Sequence, residues 1–142
     1  MNNAVRYLFL VPVFFLVSLS PAGSADDPAQ VREYTAAIDP DGVQRVAIMA
    51  GEFYFDPNHI IVKVNVPVEL SVAKEGGLVP HDMVMKSPEA GMEFDVEIST
   101  TPKTVTFTPT QTGKFPLYCS KKLLFLESHR DKGMEGVVEV RE

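Results

Sequence analysis

Residues 118–134 read Tyr118-Cys119-Ser-Lys-Lys-Leu-Leu-Phe-Leu-Glu-Ser-His129-Arg-Asp-Lys-Gly-Met134. This stretch contains the only cysteine of the chain, a histidine ten residues later and a methionine five residues after that. A thiolate, an imidazole and a thioether form a soft ligand set, which selects copper over hard cations such as magnesium or calcium. The stretch therefore predicts a metal site, and the rest of the chain must supply a second imidazole and a rigid frame.

The sequence around this stretch consists of short β segments. Residues 93–98 alternate strictly between acidic and apolar side chains, which is the period of a half-buried strand. Similar segments lie at 45–55, 59–66, 67–73, 81–85, 103–108, 114–119 and 136–141. Gly51 inside the first of these segments predicts a bulge or a break. Pro, Gly and Asp turn signals separate the segments, and no long segment has apolar residues at helical spacing. About eight short strands of this kind predict an all-β sandwich of the Greek-key type.

The N-terminal part has the pattern of a secretory signal peptide. A single charge, Arg6, precedes an apolar run over residues 7–19, and small or turn-forming residues follow up to Ala25. This predicts a signal peptide over residues 1–25 and a periplasmic location, with an uncleaved N-terminal anchor as the alternative. Residues 26–44 predict a polar N-terminal arm, with a short helix over 31–38 and a turn at 39–42. Residues 45–142 form the predicted domain.

Charge and cysteine content limit the classes of function. The formal net charge is −6, so the chain lacks the basic surface that nucleic-acid binding requires. No second segment is apolar enough to cross a membrane, so no stable membrane insertion is expected after cleavage. The lone Cys119 is a ligand, a reactive thiol, an intermolecular bridge or a buried apolar residue. We expect a monomer that is stabilised by its core.

His81 is the best candidate for the missing imidazole, because it begins a predicted strand. Alternation places His81, Met83 and Met85 on one face of that strand. The same rule directs Cys119 inward at the end of its strand, and Met134 shares parity with the apolar residues of the last strand. Two strand ends and one loop are therefore expected to converge at one end of the sandwich.

From about residue 46 to its C terminus, the chain resembles the cupredoxins, small secreted blue-copper proteins that include plastocyanin, azurin and the copper domains of nitrite reductases. The resemblance rests on Phe53-Tyr-Phe55-Asp-Pro57 before a valine-rich strand, His81-Asp82 at a strand start, Gly113-Lys-Phe115-Pro-Leu-Tyr118-Cys119, and His129 followed by Gly133-Met134. The ordered set of His81, Cys119, His129 and Met134 is its specific part.

The resemblance implies a type 1 centre with one copper ion that alternates between Cu(I) and Cu(II). Cys119 would give the short thiolate bond, and His81 and His129 would complete a trigonal set. Met134 would lie at a longer axial distance. Such a site transfers single electrons, and its four protein ligands leave no open position for a substrate. A binuclear copper centre would need a second cysteine, which the chain lacks.

Two departures from the family are expected to matter. Nine residues separate Cys119 from His129, more than the small electron carriers typically have. Their apolar run, residues 123–126, is expected to shield the copper or to form a docking patch. The second departure is Asp82, which replaces the usual asparagine after the first histidine. An ionised carboxylate only accepts hydrogen bonds, and its charge is expected to favour Cu(II) and to lower the reduction potential.

Three functions fit these residues. The first is a periplasmic one-electron carrier whose redox partner is a cytochrome or a terminal oxidase or reductase. The alternative is a periplasmic copper-binding protein for copper resistance or delivery, which the neighbouring Met83 and Met85 would favour. A metal-free cupredoxin-like interaction module is the third. An enzyme is not expected, and zinc is disfavoured because zinc sites do not use a thioether.

Two further features have simple interpretations. His59 follows a turn and heads a surface strand, so it is expected to be a surface residue and not a ligand. Four basic residues cluster in the ligand loop of an acidic chain, and they form either a solvated face or a steering surface for an acidic partner. They are Lys121, Lys122, Arg130 and Lys132.

Overall fold

The structure is a computed structural model that describes residues 30–122 and 124–142. The predicted signal peptide and Leu123 lie outside these residues. The described chain forms ten β-strands and one short 3-10 turn at Pro88–Ala90. The strands are β1 (Glu33–Thr35), β2 (Gln44–Ala50), β3 (Phe55–Asp56), β4 (His59–Lys63), β5 (Val68–Lys74), β6 (His81–Ser87), β7 (Met92–Ile98), β8 (Lys103–Phe107), β9 (Gly113–Tyr118) and β10 (Glu135–Arg141).

Two mixed sheets make up the fold. One has six strands in the order β1-β4-β10-β9-β6-β7, and the other has four strands in the order β3-β2-β5-β8. β4 runs parallel to both of its neighbours, β1 and β10, while β9 is antiparallel to β10 and to β6. The all-β sandwich that the sequence predicts is confirmed, with ten described strands where about eight were expected.

Strand periodicity produces the core. Buried and exposed residues alternate strictly along β2, and Val68, Leu70 and Val72 of β5 are fully buried. β6 lies between β9 and β7, and all of its residues from His81 to Met85 are buried. Each large apolar side chain removed from water in this way contributes about 1.5–3 kcal/mol. β6, which begins with His81, is therefore packed against other residues on both of its faces.

The N-terminal segment differs from the prediction. The short helix expected over residues 31–38 is wrong, because Glu33–Thr35 forms strand β1 beside β4. Asn58 fixes this segment: its Oδ1 accepts the N–H of Arg32 at 2.8 Å, and its Nδ2 donates to the carbonyl of Gln30 at 2.8 Å. Pairing with the edge of an existing sheet overrides weak local helix propensity.

Two predictions near β2, a turn and a strand break, are confirmed. In residues 39–42, the N–H of Gly42 donates to the carbonyl of Asp39 at 2.8 Å, and Gly42 has a φ of 82°. The predicted break at Gly51 ends β2 at Ala50 and divides the expected segment 45–55 into two strands. Within the part of the chain that the structure describes, no helix could span a membrane.

Candidate metal centre

The sheet order brings the predicted site residues to one end of the sandwich. His81 is the first residue of β6, Cys119 directly follows β9, and Met134 directly precedes β10. β9 and β10 pair so that Tyr118 is opposite Glu135. The N–H of Cys119 accordingly donates to the carbonyl of Met134 at 3.0 Å. Strand pairing, more than the loop itself, therefore places the two sulfur-bearing residues side by side.

Three donor atoms converge at this end of the molecule. The Sγ of Cys119 lies 3.5 Å from the Nδ1 of His129 and 3.9 Å from the Nδ1 of His81, and the two Nδ1 atoms are 3.2 Å apart. The centre of a triangle with these sides lies about 2 Å from each corner, which is the length of a bond between a transition metal and its ligand. All three residues are buried.

The protonation of these groups suits a metal. Burial lowers the pKa of His81 to about 4, with a further contribution from the neighbouring His129, and it also lowers the pKa of His129. Burial raises the pKa of the Cys119 thiol to about 11. Two neutral imidazoles therefore point their Nδ1 atoms toward one small volume beside a thiol. A soft cation there would be bound by both nitrogens and would displace the thiol proton.

Main-chain hydrogen bonds fix the loop between Cys119 and Met134. The N–H of His129 donates to the carbonyl of Lys121 at 2.9 Å, and the N–H of Met134 donates to the carbonyl of His129 at 2.9 Å. Met134 itself is fully buried. Its backbone thus contacts both His129 and Cys119, while its role as an axial ligand stays a prediction.

Asp82 connects two of the ligand segments. Its Oδ1 accepts the N–H of Ser120 at 2.6 Å, and its Oδ2 accepts the Ser120 hydroxyl at 2.5 Å. Asp82 follows His81 and Ser120 follows Cys119, so this contact ties the first histidine to the cysteine. An ionised carboxylate can only accept hydrogen bonds, and both Ser120 groups are donors, so the carboxylate can make both bonds.

Comparison with solved structures identifies the fold. The metal-binding domain of the Cu(I)-exporting P-type ATPase CopA from Streptococcus pneumoniae superimposes with a TM-score of 0.58 at 20% identity, covering 80% of this chain and 99% of that domain. Auracyanin A, a "blue" copper protein from Chloroflexus aurantiacus, gives 0.53 at 16% identity, covering 70% and 100%. The chain has the cupredoxin fold.

A third structure has the same fold. The periplasmic domain of cytochrome oxidase subunit II from Bradyrhizobium japonicum gives a TM-score of 0.54 at 16% identity, covering 69% of this chain and 83% of that domain. No protein-family model matches the chain, and no curated protein sequence matches it significantly. The likeness to these cupredoxins therefore lies in the arrangement of the strands and is weak in sequence.

An aromatic ring covers the two histidines of this cupredoxin fold. The ring of Phe53 packs edge-on against His129 at 5.2 Å and against His81 at 6.5 Å, measured between ring centroids. The ammonium group of Lys132 lies 4.3 Å above the same ring. In the sequence, Phe53 is only part of a motif that predicts no role for it in the site. Its position after the break at Gly51 was the only available signal.

An exposed apolar surface surrounds the edge of His129. A cavity of about 300 Å³ is lined by Leu78, Val79, Pro80, Lys121, Lys122 and His129. Beyond it, a bridge between Lys122 and Ser128 closes a hairpin whose tip carries Leu124, Phe125 and Leu126. Phe125 is 98% exposed. The apolar hairpin tip, as we name these three residues, therefore faces solvent and does not shield the donor atoms.

The basic residues of the loop differ in their surroundings. Lys121 lies near the carboxylates of Asp82 and Glu97. Arg130 pairs with Glu135 at 3.0 Å. Lys132 lies over the ring of Phe53. These contacts are consistent with a face that is partly used for structure.

His59 has a different environment from the three donors. Its Nε2 lies 2.8 Å from Glu139 and its Nδ1 lies 3.2 Å from Glu33, so it joins β1, β4 and β10. Both of its ring nitrogens thus face carboxylates outside the donor cluster.

The buried histidines make the stability of the metal-free protein depend on pH. The pKa of His81 is about 4 in the folded protein and 6.5 ordinarily, so the unfolded chain binds more protons between these values. The contribution of His81 to the free energy of unfolding is therefore fully present above pH 6.5. The free energy of unfolding then falls by up to about 3 kcal/mol as the pH drops to 4. Denaturant titrations across this range measure it. A His81→Asn variant should have a flatter profile, and an unchanged slope in that variant would contradict the assignment.

Proposed function

We propose that the protein is a periplasmic mononuclear copper protein of type 1 that acts as a one-electron carrier. His81, Cys119 and His129 would hold the copper, with Met134 as the axial ligand. The observation that carries this proposal is the triangle of two Nδ1 atoms and one thiol, whose centre fits a metal ion. Two imidazoles, a thiolate and a weak thioether are the donor set of electron-transfer copper sites.

Burial of the donors favours electron transfer over reactions that require substrate access. Cys119 is completely buried, and His81 and His129 are only 4% and 5% exposed. The hydrogen bonds of Asp82 and of the ligand loop hold the donors in place before a metal arrives. Bound copper would supply the one-electron chemistry. The protein residues would limit the change in geometry between the two oxidation states and exclude water.

Copper delivery or resistance is the second candidate. The likeness in fold to the CopA domain, which was solved with Cu(I), favours it. Met83 and Met85, which would support it as additional soft ligands, are completely buried, so they offer no exposed thioether for handing copper to a partner. A delivery protein must release its metal to a partner, and buried donors make such a transfer slow.

Two measurements separate these functions. Voltammetry of the copper-loaded protein should show a reversible one-electron wave, and the copper should remain bound in both oxidation states. A Cu(I) chelator competition should then show slow release from the reduced protein. Irreversible voltammetry together with rapid transfer of Cu(I) would support delivery and would contradict the carrier.

The edge of His129 is the proposed route for the electron. The 300 Å³ cavity beside it and the apolar hairpin tip would contact the redox partner, a cytochrome or a terminal oxidase or reductase. Lys121 and Lys122 line the same cavity and would steer a partner with acidic residues around its own apolar surface.

Electron self-exchange tests this surface without a known partner. We expect Phe125→Glu to slow exchange between reduced and oxidised protein roughly tenfold, because a charge would prevent contact between two apolar tips. Nuclear magnetic resonance line broadening in mixtures of the two forms measures the rate. The matched control is Ile38→Glu, since Ile38 is also exposed but lies beside Gln44 at the far end of β2. Equal rates in the two variants would exclude the hairpin tip as the contact surface.

A further inference from the structure

We propose that Lys121 is a positioning residue for the redox reaction: its ammonium group screens the buried Asp82 carboxylate from the copper and so raises the reduction potential. The inference rests on the copper site proposed above, but not on the identity of the redox partner. The sequence alone predicts either a solvated face or a steering surface for Lys121. Its effect would have the opposite sign to that of Asp82.

The carboxylate of Asp82 is a buried charge close to the donors. Asp82 is 2% exposed, and both of its oxygens accept hydrogen bonds from Ser120. It follows His81 in the sequence and is tied to the residue that follows Cys119. A negative charge in this position stabilises the more positive Cu(II) state and therefore lowers the potential.

The ammonium group of Lys121 is the cation that faces this carboxylate. Its Nζ lies 3.6 Å from the Oδ2 of Asp82 and 3.4 Å from the Oε1 of Glu97 on β7. Glu97 thus helps to hold the lysine over Asp82. The two hydrogen bonds that Ser120 donates and the ammonium group of Lys121 all favour the ionised form of this carboxylate. The copper would therefore lie near an ion pair of Asp82 and Lys121, in which the positive charge partly cancels the negative charge, and not near an isolated carboxylate.

The side chain of Lys121 can be changed without removing its structural contact. The bond from the N–H of His129 goes to the main-chain carbonyl of Lys121, which every amino acid provides. The neighbouring Lys122 lines the same cavity beside His129. Among the described residues, the ion pairs of Asp82 include Lys121 and not Lys122. Lys122 is therefore a matched control for the loss of one positive charge beside this cavity.

The test is the reduction potential of a set of copper-loaded variants, measured by voltammetry. Lys121→Met should lower the potential, corresponding to a rise on the order of tenfold in the ratio of Cu(II) to Cu(I) binding constants. Lys121→Arg should restore most of the wild-type value because it keeps the charge. Lys122→Met should cause a much smaller shift, and Asp82→Asn should raise the potential. In an Asp82→Asn background, Lys121→Met should have no more effect than Lys122→Met.

A second readout uses the metal-free protein. Loss of the ammonium group leaves a buried carboxylate with weaker compensation, which destabilises the fold. Thermal unfolding should therefore occur at a lower temperature in Lys121→Met than in Lys122→Met, and Asp82→Asn should abolish the difference. Equal potentials and equal unfolding temperatures in the two lysine variants would overturn the proposal. Failure of the wild-type protein to bind copper would contradict the proposed function instead, while the metal-free comparison would still test the pair.

Discussion

Replacement of Cys119 by serine is expected to abolish the visible colour and the reversible redox wave of the copper-loaded protein. A serine hydroxyl is a hard donor that does not lose its proton at neutral pH, so it cannot supply the thiolate that type 1 chemistry requires. We expect Cu(I) affinity to fall at least roughly a hundredfold, since a direct ligand should matter at least as much as the outer contacts whose loss costs 10–100-fold. Visible absorption, voltammetry and Cu(I) competition measure these effects.

The fold should survive this substitution. Serine is close to cysteine in size, and Cys119 has no disulfide partner in the described chain. Far-ultraviolet circular dichroism and the metal-free unfolding curve of the variant should therefore remain close to those of the wild type. If Cys119→Ser retained the colour and the redox wave, the proposed donor set would be wrong. The metal would then be held elsewhere.

The substitution Gly136→Ala is expected to destabilise the fold by about 3 kcal/mol, through overpacking at the pairing of β10 with β4. A Cβ atom on Gly136 would lie 2.5 Å from the carbonyl oxygen of Asn58. That oxygen also accepts the N–H of Val137 at 2.8 Å, so the backbone cannot move away without losing a hydrogen bond. Gly136 is two residues from Met134, so copper binding should weaken as well.

A matched control exists for this substitution. Gly76 lies in a loop, and a Cβ atom there would have nothing within 4 Å. Gly76→Ala should therefore change the free energy of unfolding by less than about 0.5 kcal/mol. Denaturant titrations of both metal-free variants provide the comparison. Similar stabilities for the two would show that the contact between Gly136 and Asn58 does not constrain the fold.

The part of the site at the strand ends could be predicted from the sequence. Period-2 alternation directed Cys119 into the core, and the β segment at 81–85 placed His81 at the start of a strand. Both positions are observed. His129 could be assigned only as a soft ligand near the cysteine, because a loop has no such period. The structure places it by hydrogen bonds to Lys121 and Met134, which depend on the pairing of β9 with β10.

Contacts between distant segments could not be predicted in the same way. β1 is a strand because the edge of β4 is available to it, and residues 31–38 contain no local signal for this pairing. Phe53 reaches the two histidines across the sandwich. The contact between Lys121 and Asp82 joins residues that are far apart in sequence. The sequence suggested that Asp82 alone would lower the potential, whereas the structure shows a cation beside it.

The central claim is that Cys119, His81 and His129 bind one copper ion as a type 1 centre. Optical absorption of the Cu(II)-loaded protein, titrated with copper, tests it most directly. The account predicts an intense visible band from thiolate-to-copper charge transfer that saturates at one copper per chain and disappears on reduction. A colourless Cu(II) complex would contradict it. An unchanged copper titration would also contradict it, if the Cys119 thiol had first been alkylated in the unfolded protein and the protein then refolded.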